Sequence, residues 1–339
     1  MFFIKIVNDI INILNLKKIE KNYLRVFFFE NLFIENHIVP YTYKNKQKNK
    51  SIIITLYNSR SEKLKNFKII KFNYLFFLEF CFLILKIKYI YSSTPNLNSS
   101  SFRKSAISKN KYIYIQHSPV SLTMVYSKNA FTEFDIVLTI SSFQKKEILE
   151  INDLYKRKIK PWKSKYLFSE TKQNKKNETS KKILIAPTWG TNFFKNNLHI
   201  KIKEVLKKYN YQFELRPHYM TFKKDGISRN KIRKEFLLNE GNINFNDYHT
   251  IITDWSGIFI EFAKVTSSKC VLLKIPKKKL NNDFELITSI PTEVYSRDIL
   301  SYEINESELE NLDIIISKII TEKETYKFKI ENFFKKYFF

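Results

Sequence analysis

Short runs of β-branched and aromatic residues alternate with helix-length segments along most of this chain, and few folds accept that alternation. Residues 24–29 (LRVFFF), 51–57 (SIIITLY), 67–72, 88–91, 111–116 (KYIYIQ) and 136–140 each have the length and composition of a buried strand. Helix-length segments at 74–85 and 142–151 lie between them. Strand and helix in repetition predict a parallel sheet covered on both faces. The stretch 169–182 (SETKQNKKNETSKK) then has no apolar residue and reads as a linker.

Beyond the linker the rhythm restarts. Strands are expected at 182–187 (KILIAP), 211–217 (YQFELRP), 250–253 and 270–275, with helices at 197–209, 228–238 and 256–264. A last helix opens on a capping box of Ser307 and Glu310 and turns Leu309, Leu312, Ile315, Ile316 and Ile319 inward. The expectation is an α/β protein of two Rossmann-like domains with parallel sheets, 1–170 and 181–320, and a closing helix over 321–339 that packs back on the first domain. A chain of 339 residues that is 44% hydrophobic has enough apolar surface for two such cores.

Charge narrows the partners. With 59 Lys and Arg against 33 Asp and Glu, the formal charge of +26 favours phosphate-bearing substrates, an anionic membrane face or nucleic acid. Part of that excess, with the abundant Ile, Asn, Phe and Tyr, is what A+T-rich codons would produce, which discounts charge as a functional signal. The cysteines, Cys81 and Cys270, both sit in apolar runs and read as reduced, buried thiols. The first residues, MFFIKIVNDIINILNL, lack the basic start and small-residue cleavage site of a signal peptide. Phe3, Val7, Ile10, Ile11 and Leu14 share a helical face, which is expected to dock on the protein's own core in preference to a bilayer. The most apolar stretch, 74–85, carries Glu79 and falls short of the roughly 20 residues of a spanning helix.

Chemistry should collect where strands end, because ligands of open parallel sheets bind at the carboxyl edge. The residues there are polar and specific: Gln116-His117-Ser118-Pro119, Thr188-Trp189-Gly190-Thr191, Arg216-Pro217-His218 and Thr253-Asp254-Trp255-Ser256-Gly257. Glycine is scarce, four in the whole chain, and Gly257 stands where a helix starting near Ser256 would present free N–H groups to a phosphate. The competing reading is that Asp254 or Ser256 simply caps that helix. His218, two residues after Arg216, reads as part of a cationic pair or as a histidine in an exposed turn. His117 reads as a general base at the sheet edge or as a loop histidine bonded to backbone. His37, His199 and His249 have surface or packing settings.

Taken in order, QHSPVS, APTWG, RPH and ITDWSG followed by IFIEFA resemble the CDP-glycerol glycerophosphotransferase family, which makes teichoic-acid-type polymers. The resemblance spans about residues 88–297. The family's WHG reads QHS here and its DYSS reads DWSG. It implies the GT-B architecture, two facing Rossmann-like domains with the active site between them. It also implies a base at His117 and donor-phosphate contacts at His218, Thr253 and Ser256. Glu293, in IPTEVYSR, resembles an acidic position near the nucleotide.

The expected reaction is attack of an acceptor hydroxyl on the donor phosphorus with CMP leaving. His117, His218 and Asp254 form the catalytic set, with Asp254 orienting a loop or an imidazole. Arg216, Thr188, Thr253, Ser256, Gly257 and Glu293 bind substrate or phosphate. No Asp-x-Asp occurs, so no metal or other cofactor is expected. Partners are a nucleotide-activated donor, a polymer, glycan or lipid-linked acceptor and an anionic membrane surface held by electrostatics, at the cytoplasmic face. The alternative is a GT-B glycosyltransferase with a CMP- or UDP-linked sugar for capsule or lipopolysaccharide. Nucleic-acid binding is disfavoured, since the aromatics lie inside apolar runs and no RNP-like motif or zinc finger occurs.

Overall fold

The computed structural model describes residues 2–29, 50–57, 64, 67–97, 104, 110–166, 182–240 and 243–339. The expected linker, apart from Lys182, and His37 lie outside these residues. The chain divides into two compact units. One comprises Met1–His117, Tyr126–Ser169 and Glu285–Thr288; the other comprises Ser118–Val125, Glu170–Phe284 and Ser289–Phe339. Each unit therefore holds a short piece that sequence order alone would assign to its neighbour.

The first unit is built on seven parallel strands in the order β3-β2-β1-β4-β5-β6-β7. These are β1 (Arg25–Phe29), β2 (Ser51–Thr55), β3 (Lys68–Lys71), β4 (Tyr89–Ser92), β5 (Lys111–Tyr114), β6 (Ile136–Thr139) and β7 (Lys160–Lys163). Val26 through Phe29 are all buried, as a central strand covered on both faces requires. Phe27, Ile53, Ile113 and Ile136 pack in one cluster across four neighbouring or near-neighbouring strands. β7, KPWK, was not legible as a strand. Its Pro161 cannot donate to a ladder, and the strand sits at the sheet edge where that costs least.

Among the described residues this unit has α1 (Phe2–Ile19), α2 (Leu75–Ile84) and α3 (Ser142–Tyr155). α1 corrects the sequence reading. Its inward residues are Asp9, Ile13 and Leu16, whereas Phe3, Val7, Ile10, Ile11 and Leu14 are exposed. The cause is polar. The Asp9 carboxylate is fully buried and accepts the backbone N–H of Asn73 at 2.9 Å, that of Tyr74 at 2.9 Å and the Asn73 amide at 2.8 Å. These groups lie just ahead of α2, and Asn12 on the same side of α1 donates to the Lys71 carbonyl at 2.8 Å. A buried carboxylate needs such donors, so the side of α1 that carries Asp9 must face the protein.

The second unit has five parallel strands in the order β12-β11-β10-β8-β9. They are β8 (Lys182–Ile185), β9 (Phe213–Leu215), β10 (Tyr248–Thr253), β11 (Cys270–Leu273) and β12 (Ser301–Ile304). From β8 the chain goes to one side for β9 and returns to the other for β10, so the strand order reverses between β8 and β10. A crevice opens at such a reversal, outside the carboxyl ends of the strands. Around the sheet lie α4 (Leu198–Lys208), α5 (Tyr219–Lys224), α6 (Arg229–Glu235), α7 (Ile258–Thr266), α8 (Thr292–Leu300), α9 (Leu312–Thr321) and α10 (Lys323–Tyr337).

Leu309, Leu312, Ile316 and Ile319 are buried as expected, and Ile315 is half-buried. The capping box ahead of α9 is formed by Asn305 and Glu308, not by Ser307 and Glu310. α10 packs against α7 and α8 within this unit. Cys81 and Cys270 are free and buried, and burial pushes the Cys81 thiol up to about 12.

The Asp9 bonds yield a direct expectation. Asp9→Ala strands the N–H groups of Asn73 and Tyr74 and should cost about 1–3 kcal/mol. Hydrogen exchange over 2–19 should rise well before global unfolding, and unchanged protection of that helix would contradict the anchoring role.

Candidate functional site

The reversal between β8 and β10 brings two of the polar loops together through one side chain. Asp254, directly after β10, is fully buried; its Oδ1 accepts the Thr188 backbone N–H at 2.9 Å and its Oδ2 accepts the Thr191 hydroxyl at 2.8 Å. Burial raises the Asp254 pKa, while these bonds, the Trp255 N–H and the charge of Lys278 oppose the rise. Asp254 does not cap α7, which starts with no side-chain cap at all. It is a tie between loops. Thr253 is used in the same way, its hydroxyl donating to the Ala186 carbonyl at 2.6 Å, and it is fully buried.

Two cations that the sequence did not single out complete this region. Lys278 is buried with its ammonium 3.6 Å from the centre of the Trp189 ring. Burial lowers its pKa to about 8 against the attraction of Asp254, Asp225 and Glu293. Arg297 is buried too; it donates to the Asp254 carbonyl at 3.0 Å and to the Leu273 carbonyl at 3.3 Å, and it pairs with Glu303. Its guanidinium stacks 4.0 Å from the Trp255 ring centre, and Trp255 in turn donates to the Ile275 carbonyl at 2.9 Å. Lys278 was hidden in the run PKKK, which reads as solvated charge. Arg297 ended a segment chosen for its glutamate.

The loop after β8 touches the loop after β9 as well. Gly190 turns there with φ +72°, and its N–H is held by Asp225 at 2.9 Å. The Trp189 ring lies 6.4 Å from that of His218, which stands at the N-cap of α5. His218 Nδ1 accepts the Met220 N–H at 3.1 Å. In the neutral ring the proton therefore sits on Nε2, which makes His218 a hydrogen-bond donor toward an anion and not a base at that atom. Arg216 is half-buried and donates to the carbonyl and side chain of Asn239 at 3.3 and 3.2 Å. Burial lowers its pKa.

Gly257 has a different reason from the one the sequence suggested. A Cβ there would lie 2.5 Å from Ser118 Oγ and 2.6 Å from Val120 Cγ1. Its φ of −61° is open to any residue, so the constraint is space, and the space is filled by the chain itself and not left open for a ligand. Glu293 belongs to the same strap. Fully buried in the first turn of α8, it accepts the Ser121 N–H at 2.7 Å, while the Leu280 N–H reaches the Met124 carbonyl at 2.8 Å. Ser256 remains half-buried beside the uncapped start of α7. The second unit thus gathers Thr188, His218, Thr253, Asp254, Ser256, Gly257 and Glu293, with Lys278 and Arg297 added.

His117 lies in the first unit, after β5. Its Nδ1 is 3.0 Å from the Tyr114 hydroxyl and its Nε2 is 3.3 Å from the Tyr126 hydroxyl. Desolvation lowers its pKa to about 4, against a hydrogen bond to the Ser93 backbone. The ring is neutral near pH 7 and able to accept a proton. Next to it, Gln116 is buried with neither atom of its amide hydrogen-bonded among the described residues. Such an amide costs about 1–3 kcal/mol until something pairs with it. His199 is a packing residue between Phe194 and Phe236, as its sequence setting implied. A groove of about 980 Å³ lined by Lys201, Lys208, Glu306 and Glu310 shares no residue with these loops.

No family model matches the chain, and no curated protein matches it by sequence. Solved structures do match over nearly its whole length. The wall teichoic acid polymerase TagF, in a structure soaked with CDPG, is 14% identical over 98% of this chain and 92% of its own, with a TM-score of 0.51. The fold is GT-B. A glycosyltransferase from Rickettsia africae gives 13% identity over 92% and 94%, TM-score 0.50. The S. aureus MnaA–UDP structure gives 10% over 91% and 90%, TM-score 0.51. At these identities the likeness is one of fold, with the expected parallel sheets present in both units.

Two measurements test the geometry. Gly257→Ala should lower stability by about 1–3 kcal/mol through overpacking. Gly257→Ala/Val120→Ala should recover part of that loss, and strict additivity would remove the strap as the cause. His117 binds its proton more weakly folded than unfolded, so its contribution to stability falls as pH drops from 6.5 toward about 4 and is fully lost below. The difference in urea midpoint between wild type and His117→Gln should change across that window and level off below it. A flat difference would mean an ordinary histidine.

Proposed function

We propose that the protein is a transferase that moves a glycerophosphate group from CDP-glycerol to a hydroxyl of a surface polymer or glycan. The observation that carries this reading is the crevice between β8 and β10. The loops after β8 and β10 are tied there through Asp254, and they and their neighbours carry the uncapped start of α7 with the Ser256 hydroxyl, the Nε2–H of His218 and the buried ammonium of Lys278. Helix N-termini, N–H donors and a desolvated cation are the groups a diphosphate recruits. The motif resemblance and the likeness in fold to a teichoic acid polymerase soaked with CDPG support a cytidine diphosphate donor.

In this reading the acceptor hydroxyl attacks the phosphorus that bears the glycerol. Its proton passes to His117, neutral at physiological pH and positioned by Tyr114 and Tyr126. The bond from that phosphorus to the bridging oxygen breaks, and CMP departs. Lys278 and His218 stabilise the charge that grows on the leaving phosphate, while Asp254 keeps the loops in place. Arg216, Thr188 and Glu293 act mainly through the loops they brace. The charge is met by protein cations and N–H groups, so no metal is required.

CMP release from CDP-glycerol should fall about 10²-fold or more in His218→Ala and Lys278→Met, by analogy with lost oxyanion donors. Donor affinity should weaken as pH rises past about 8, where Lys278 loses its proton, and Lys278→Arg should carry that decline to higher pH. Release of UDP from a nucleotide sugar, with CDP-glycerol inert, would replace this reading by sugar transfer. Excess EDTA should leave turnover within about 2-fold; complete loss restored by Mg²⁺ would contradict the metal-free mechanism.

A further inference from the structure

The outward face of α1 is the more apolar of its two faces, and apart from the Phe2 ring, which meets Tyr74 edge-on, its side chains are largely exposed. Phe2 is 68% exposed, Phe3 75% and Leu14 57%, with Ile4, Val7, Ile10 and Ile11 also exposed. α2 packs beside α1 and adds Phe76, 71% exposed, with Phe80 and Leu83. Ten large apolar side chains on two adjacent helices form a larger exposed surface than an isolated soluble domain ordinarily tolerates. The orientation is not free to relax, because rotating α1 to bury that stripe would pull the Asp9 carboxylate off Asn73 and Tyr74.

Charge identifies the occupant. Lys17 and Lys18 close α1 at its C-terminal end and Lys21 follows, while Lys68 in β3, which packs on α1, and Lys86, just after α2, are exposed. The acids of the two helices are Asp9, buried in the bonds above, and Glu79, half-buried at the margin of α2. Glu20, just beyond, is held by Lys17 and the Lys86 N–H. An apolar face with a lysine rim and little exposed negative charge fits a helix lying in the plane of an anionic bilayer. No described helix is long and apolar enough to cross a membrane.

We infer that α1 and α2 form an interfacial docking surface for an anionic lipid bilayer, with Phe3, Ile10, Leu14, Phe76 and Phe80 entering the headgroup–acyl boundary. Attachment then combines insertion with electrostatics, where sequence charge alone suggested electrostatics. The inference does not depend on the donor. A polar partner would find no matching groups on the stripe, and an apolar protein partner would leave the lysine rim unused.

The test is co-sedimentation of the full chain with vesicles of phosphatidylglycerol and phosphatidylcholine. Phe3→Ser/Ile10→Ser/Leu14→Ser should reduce the bound fraction at least 10-fold, and Phe76→Ser/Phe80→Ser should do the same independently. Lys18→Gln/Lys21→Gln should weaken binding to phosphatidylglycerol vesicles while leaving the weak binding to pure phosphatidylcholine unchanged. Circular dichroism and donor binding in solution serve as folding controls, since these residues face outward and lie outside the proposed donor site. Equal binding by the serine variants and wild type would overturn the inference. So would a wild-type dimer that the serine variants convert to monomer without any vesicle binding, which would assign the face to a second copy. Loss of CDP-glycerol turnover with vesicle binding intact would strike the proposed function and leave this surface standing.

Discussion

Burying the carboxylate of Asp254 removes it from water completely, and the second unit is organised around meeting that cost. A lone carboxylate in such a place would take up a proton or disrupt the packing. Here the Thr188 N–H and Thr191 hydroxyl satisfy it from the loop after β8, and the Asp254 carbonyl is held by Arg297 from α8. Two elements far apart in sequence are thus fixed to one residue. With those loops fixed, Trp189 can support Lys278 on one side and lie near His218 on the other. The positions of Lys278 and His218, the proposed anion-binding groups, depend on this tie, which makes Asp254 a positioning residue in that proposal.

The strands could be read from the sequence because both faces of each parallel sheet are covered, which demands continuous apolar runs. Two edge strands lack such a run and were not legible. β7 contains Pro161 and lies at an edge, and β12, SYEI, is an edge strand with two half-buried positions. The loops carrying Thr188, His218 and Asp254 were legible because parallel strands deliver their carboxyl ends to one side. What those residues bond to was not. Gly257 is small to admit Ser118 and Val120, and Glu293 holds Ser121, contacts that span more than a hundred residues and leave no local pattern. Lys278 looked like one more surface lysine until burial and the Trp189 ring distinguished it.

α1 shows how a polar minority can overrule an apolar majority. The hydrophobic period alone placed the stripe of Phe3, Val7, Ile10, Ile11 and Leu14 inward. One buried acid and one asparagine lie on the opposite side, and their bonds to Asn73, Tyr74 and Lys71 hold that side against the protein. A helix whose charged residue lies opposite its apolar stripe has two candidate inward faces. The donors available on its neighbours decide between them.

A diphosphate seated by the loops after β8 and β10 is the feature on which the proposed chemistry depends. The most direct measurement is a crystal of this protein soaked with CDP-glycerol. It should show the diphosphate at the start of α7, within hydrogen-bonding distance of Ser256, with the Lys278 ammonium and His218 Nε2 turned toward its oxygens. Density for the nucleotide elsewhere, with the loops tied by Asp254 unoccupied, would contradict it.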